Sequence, residues 1–202
     1  GRGVRKAFDH VEWDVVAGLA DTMGAPRGPL HAALRLYATL RRYFQAPGTR
    51  VVGPAVLSRR GVPQGCGLAP LCMAHVVRLW VAHLQGVPLD GGSLDVRMVV
   101  DDLHLLVEFP DQRPATRARA YAVLRRLVRA SQRLLRAAGQ GVNVAKCAAW
   151  STNAALQKEH PVGVVTGRPP PGHPAHSPPI PWARGFRDLG ITWRVHRGIP
   201  DA

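Results

Sequence analysis

The sequence predicts an α/β (α+β) chain, a small antiparallel sheet with helices packed on one face. Three observations carry that prediction. Apolar residues recur at helical spacing in several separate stretches, the segment 97–108 reads as two strands around a central Asp101-Asp102 pair, and Gly and Pro clusters punctuate the chain between these units.

A first helix is predicted over 11–22, ended by Gly24-Ala25-Pro26. A second runs from Pro29 to Phe44, with Leu30, Leu34, Tyr37 and Leu40 in register, and closes at Pro47-Gly48. Residues 50–57 read as a short strand leading into a Gly/Pro loop, and 68–84 is a strongly apolar helix central to the core. After Gly91-Gly92 comes the strand, turn and strand of 97–108, where β-branched residues favour strands and Asp suits the turn by bonding nearby backbone. The clearest amphipathic helix spans 114–138. Tyr121, Leu124, Leu127, Val128, Ser131, Leu134 and Leu135 mark one face, while Arg119, Arg125, Arg126, Arg129, Arg133 and Arg136 crowd elsewhere. Such a charge row is ordinarily a solvated outer face, with contact to a nucleic-acid backbone as the functional alternative. Residues 142–150 return as a strand, and the Pro, Gly and His-rich stretch from Gly167 to Pro181 reads as a flexible surface loop.

At 202 residues the chain is one domain's worth, long enough for a real core. Its formal net charge of +14 suits a polyanionic partner such as nucleic acid. Lysines are scarce beside arginine, being only Lys6, Lys146 and Lys158, a bias that suits bidentate phosphate contacts and is equally what a GC-rich genome produces. Cys66, Cys72 and Cys147 form an odd set without paired spacing, so neither a disulfide framework nor a zinc knuckle is indicated and a reduced intracellular compartment, nuclear or cytoplasmic, is expected. No apolar run is long enough for a membrane span, so no membrane partner is expected; the oligomeric state is left open.

The chemistry starts from Asp101-Asp102. Taken alone, adjacent aspartates are an ordinary turn, but like charges side by side repel, and a divalent cation is one partner that turns this cost to use. Upstream, Arg60-Gly61-Val62-Pro63-Gln64-Gly65-Cys66-Gly67-Leu68-Ala69-Pro70-Leu71 resembles motif B of reverse transcriptases, and Val99-Val100-Asp101-Asp102 resembles their motif C. Lys6-Ala7-Phe8-Asp9 is similar to motif A of the non-LTR retrotransposon and group II intron branches, Gly141-Val142-Asn143-Val144-Ala145-Lys146-Cys147 to motif D, and Phe186-Arg187-Asp188-Leu189-Gly190-Ile191 to motif E. The ordered set is more telling than any single motif.

The resemblance implies a polymerase palm with fingers and thumb largely missing. Residues 1–166 would be the palm with motifs A to D, 167–183 a flexible loop, and 184–202 the motif E region leading toward the thumb. It implies an RNA-directed DNA polymerase, a nucleotidyltransferase using two Mg²⁺ ions (or Mn²⁺), an RNA template with primer, an RNA/DNA hybrid and deoxynucleoside triphosphates. Asp101 would be a metal ligand and Asp102 its neighbour in support. Phe8 would be the gate against a ribose 2′-hydroxyl, with Pro63, Gln64 and Gly65 shaping the nucleotide pocket. Lys146 would protonate the departing pyrophosphate, and Leu189 and Gly190 would lie in the primer grip.

One position departs from the pattern. The family's first catalytic aspartate falls six residues before Asp9, on Gly3, which binds no metal through a side chain. Asp9 is not expected to stand in, because six residues of extended strand cover about 20 Å while a magnesium ligand lies near 2.1 Å. Two rivals follow: a catalytically degenerate palm that at most binds nucleic acid, favoured by Gly3, and an RNA-dependent RNA polymerase palm, disfavoured by Phe8 and the loop 60–71.

Overall fold

The computed structural model describes residues 4–5, 7–63, 65–99, 102–142, 146–165, 178–183, 185–188 and 191–194. In chain order they form β1 (Val4–Arg5), a 3₁₀ turn at Ala7–His10, α1 (Trp13–Thr22), α2 (Arg27–Thr39), β2 (Arg41–Arg42) and β3 (Val56–Leu57). Then come α3 (Ala69–Gln85), β4 (Ser93–Val99), β5 (Asp102–Glu108), α4 (Pro114–Ala137), β6 (Gly141–Val142), α5 (Ala154–Glu159), β7 (Gly185–Asp188) and β8 (Ile191–Arg194). The chain is thus mixed helix and antiparallel strand. Its described strands form four separate pairs, β1·β6, β2·β3, β4·β5 and β7·β8, rather than one continuous small sheet.

The main core is where helical periodicity placed it. Val16 and Ala20 of α1, Leu30 and Tyr37 of α2, Cys72, Val76, Trp80 and Leu84 of α3, and Val123 and Leu127 of α4 are all buried in one cluster. The β4–β5 hairpin lies against this cluster with one face. Leu94, Val96, Leu105 and Val107 pack on it, as strict alternation requires of cross-strand partners Val96↔Leu105 and Leu94↔Val107. The helices therefore cover one face of the longest strand pair.

Helix α4 differs from the single-faced expectation. Val123, Leu127, Ala130 and Leu134 join the main core, whereas Tyr121, Leu124 and Val128 turn to a second cluster with Leu156, Val164, Ile180 and Trp182. It has two apolar stripes and a third face for arginine.

Three boundaries move for local reasons. Helix α2 stops at Thr39 instead of continuing to Phe44, because Leu40 turns extended and Arg41–Arg42 pair with Val56–Leu57. The expected strand at 50–57 is reduced to Val56–Leu57 plus a bridge at Val52, since Gly53-Pro54 interrupts it and proline donates no ladder bond. Of the expected strand at 142–150, residues 143–145 lie outside the described residues; among the described ones Val142 pairs in Gly141–Val142 and Ala149 makes an isolated bridge. Beyond it lies α5, which the periodicity argument missed: Asn153 accepts from the backbone N–H groups of Ala155 (2.9 Å) and Leu156 (3.2 Å) and so starts a helix.

Within the stretch read as a flexible loop, 167–177 lies outside the described residues, but its C-terminal part packs. Ile180 is buried and exchanges both backbone bonds with Val164, at 2.8 and 3.0 Å, because an isoleucine and Trp182 supply apolar surface that the Pro-rich run before them lacks. Among the described residues no helix is long and apolar enough to cross a membrane.

Candidate functional site

The two segments resembling motifs A and B are far apart in sequence and meet in space. Gly61 N–H donates to Val11 O at 2.8 Å and Val62 N–H to Phe8 O at 2.7 Å, so the loop closes directly on the 3₁₀ turn Ala7–His10. Gly61 is required there. Its φ is +86°, and a Cβ would stand 2.7 Å from Asp9 O. The indole of Trp13 donates to Gly61 O at 2.9 Å, and Arg60 pairs with Glu12 at 3.1 Å, adding two side-chain ties to the two backbone ones.

Of the residues this junction gathers, Phe8 is half-buried and packs against the main core, Pro63 is half-buried, and Gly65 is exposed with φ +85°. Gln64 lies outside the described residues. Asp9 is exposed on the 3₁₀ turn rather than on an extended strand, and Asp14 is exposed in the first turn of α1.

The loop is also held from behind by a residue that periodicity assigned only to a helix face. The Tyr37 hydroxyl lies 2.9 Å from Cys66 Sγ, just before α3 begins. That contact, with the backbone N–H groups of Leu68 and Ala69, favours the thiolate and holds the Cys66 thiol below its usual range. Burial, then the same contact, pushes the Tyr37 hydroxyl up. Burial pushes the Cys72 thiol up to about 11. A tyrosine on an otherwise apolar helix face is the signal that could have found this pair, because a buried hydroxyl needs a partner.

The hairpin carries the segment resembling motif C. Its ladder runs from Ser93↔Glu108 to Val99↔Asp102, so position 102 begins β5 and only positions 100 and 101 separate the strands. Asp101 lies outside the described residues, as does Gly3. At the start of the segment resembling motif D, Val4↔Val142 and Arg5↔Gly141 bring β6 beside β1, which immediately precedes the segment resembling motif A; Lys146 beyond it is exposed. The segment resembling motif E is a second hairpin, Asp188↔Ile191, with Leu189 and Gly190 between its strands and outside the described residues.

The arginines of α4 act largely within the chain. Arg117 holds Glu159 of α5 at 2.6 Å, Arg125 donates to Val165 O at 2.9 Å and lies over the Tyr121 ring, and Arg126 pairs with Asp90. Arg133 and Arg136 are exposed. The Arg117 guanidinium holds the Glu159 carboxyl below the usual carboxylate range.

Among the described residues no group of three His, Cys, Asp or Glu side chains gathers to hold a metal ion. Cys66, Cys72 and Cys147 are not joined in a disulfide. No protein-family model and no curated protein matches the chain.

Proposed function

We propose that this chain is the palm region of a reverse transcriptase of the non-LTR retrotransposon and group II intron type, an RNA-directed DNA polymerase domain. The observation that carries the reading is the junction of the loop resembling motif B with the turn resembling motif A, through Gly61 N to Val11 O and Val62 N to Phe8 O. A nucleotide pocket built from Phe8, Pro63, Gln64 and Gly65 needs these two segments side by side, and nothing in their sequence separation would otherwise join them. The β1·β6 pairing, which sets the segments resembling motifs A and D together, supports the same arrangement. Its partners are then an RNA template with primer, the RNA/DNA hybrid and deoxynucleoside triphosphates, for which the +14 charge is suited.

The metal is a separate matter. Two Mg²⁺ ions about 4 Å apart need carboxylates that bridge them. The donors assigned in this chain are Asp101 and Asp102, adjacent in sequence, with Gly3 contributing no side-chain oxygen. This set does not fit a two-ion centre. Gly3 therefore favours a second reading, in which the palm framework binds nucleic acid and nucleotide without catalysing transfer.

Primer extension separates the readings. The chain as it stands is expected to give no detectable extension with deoxynucleotides or ribonucleotides. Gly3→Asp, in a chain that also carries fingers and thumb regions, is expected to restore extension with deoxynucleotides only. Asp101→Asn should then abolish it. Extension by the unmodified chain would show that another group supplies the ligand and that motif A is misaligned; restored ribonucleotide extension would favour an RNA-dependent RNA polymerase.

A further inference from the structure

Between β2 and β3 the backbone forms a narrow antiparallel arm. Arg41↔Leu57 and Arg42↔Val56 close its base, Gly53 N–H donates to Phe44 O at 2.8 Å, Ala46 N–H donates to Val51 O at 3.1 Å, and Gly48 turns its tip at φ +74°. The backbone is ordered, yet the side chains are not buried by it. Tyr43 is 59% exposed, Phe44 67% and Val51 68%, against a core whose aromatic residues Tyr37 and Trp80 are each at 1%. Large apolar side chains on a well-bonded arm are outward-facing surface, the kind that marks an interaction site.

The charge around them has one sign. No aspartate or glutamate occurs between Asp21 and Asp90, while Arg41, Arg42, Arg50 and Arg59 sit on or beside the arm. Arg27 and Arg60, which flank this region, are neutralised by Asp21 and Glu12. Among the described residues the four arm arginines have no ion pair, and Arg42 Nη2 is buried without a hydrogen-bond partner. Exposed aromatic rings interleaved with unpaired guanidinium groups match the two surfaces of a single-stranded nucleic acid: base faces that stack and phosphates that accept. A duplex hides its base faces and would leave the rings unused.

We propose that the arm 41–57 is a single-stranded RNA clamp, in which Tyr43 and Phe44 stack unpaired bases while Arg41, Arg42 and Arg50 hold the phosphates. The choice of RNA rests on the reverse-transcriptase reading; the choice of a single strand rests on the arm.

The test is fluorescence anisotropy of the full chain with a labelled single-stranded RNA of about 12 nucleotides, within the span such surfaces cover, and with a blunt RNA/DNA hybrid of equal length. Tyr43→Ala with Phe44→Ala should weaken single-strand binding by at least about tenfold and hybrid binding by less than about twofold. Arg41→Gln with Arg50→Gln should lower the single-strand salt slope by roughly 1.4, two phosphates' worth. These side chains are exposed, so unchanged thermal unfolding will verify that the variants fold. Unchanged single-strand affinity in the aromatic variant, with the parent still binding hybrid, overturns the clamp and leaves the palm reading standing. Failure of the parent to bind either ligand overturns both. Tighter binding of a DNA strand of the same sequence overturns the assignment to RNA. A sedimentation change from dimer to monomer with RNA affinity unaltered makes the arm a self-association face and overturns the clamp.

Discussion

Gly61→Ala tests the junction on which the proposed nucleotide pocket depends. An alanine at φ +86° carries the left-handed backbone cost, about 1–2 kcal/mol. Its Cβ would also meet Asp9 O at 2.7 Å, with Asp9 C and Cα both at 3.0 Å. Those atoms are backbone, so relief requires the loop and the turn to separate, stretching the bonds Gly61 N to Val11 O and Val62 N to Phe8 O. Overpacking of this kind adds about 1–3 kcal/mol. A total near 3 kcal/mol lowers the melting temperature by about 6–12 °C in a chain of 202 residues. Gly65→Ala is the internal control: it sits in the same loop with φ +85°, yet a Cβ there meets nothing within 4 Å. It should cost only the backbone term, roughly a third to two thirds as much. Thermal unfolding followed by circular dichroism measures both. Equal melting temperatures for the two variants would refute the claim that the loop is pressed against the 3₁₀ turn Ala7–His10.

Two further perturbations read the electrostatics. Cys66 should be alkylated by iodoacetamide at neutral pH ahead of Cys72 and Cys147, whose thiols are raised by burial, and Tyr37→Phe should move the pH midpoint of Cys66 alkylation upward by removing the hydroxyl that favours the thiolate. Mass-spectrometric mapping across pH decides this, and an unmoved midpoint would assign the shift to the backbone N–H groups alone. The Arg117–Glu159 pair lowers the Glu159 carboxyl, so its stabilisation is full above the ordinary value of 4.5 and is lost as pH falls through the lowered folded value. Urea unfolding of the parent and Glu159→Gln should therefore show a stability gap at pH 7 that closes in acid; a gap that widens in acid would contradict the pairing.

The arginine row on α4 illustrates why charge patterns read poorly from sequence. Arg119 through Arg136 look alike along the chain, yet Arg125 is committed to Val165 O and Arg126 to Asp90, partners that lie far off in sequence. By contrast the arginines of 41–59 sit in a region where no carboxylate lies nearby in sequence, and among the described residues none reaches them in space. What matters electrostatically is the neighbour, and neighbours across the fold are invisible to local pattern.

Periodicity by itself determined the helices of the main core, since α1, α3 and α4 each bury an apolar set whose spacing is local and strong, and it located the hairpin, whose first strand begins at Ser93 rather than at the expected 97 and whose second already includes Asp102. It also marked Gly61 and Gly65 as loop residues, because glycine and proline act on their own backbone. Only the tertiary structure decided where α2 ends, since Arg41–Arg42 gain hydrogen bonds from Val56–Leu57 that a longer helix would forgo. Only it divided α4 between two cores, buried Ile180 against Tyr121, Leu156 and Val164, and turned Tyr37 toward Cys66. The junction of Gly61 with Asp9 belongs to this second kind as well. A motif names the residues that form a site, but the distance between motif segments is set by long-range hydrogen bonds and steric contact, and neither leaves a trace in the spacing of residues along the chain.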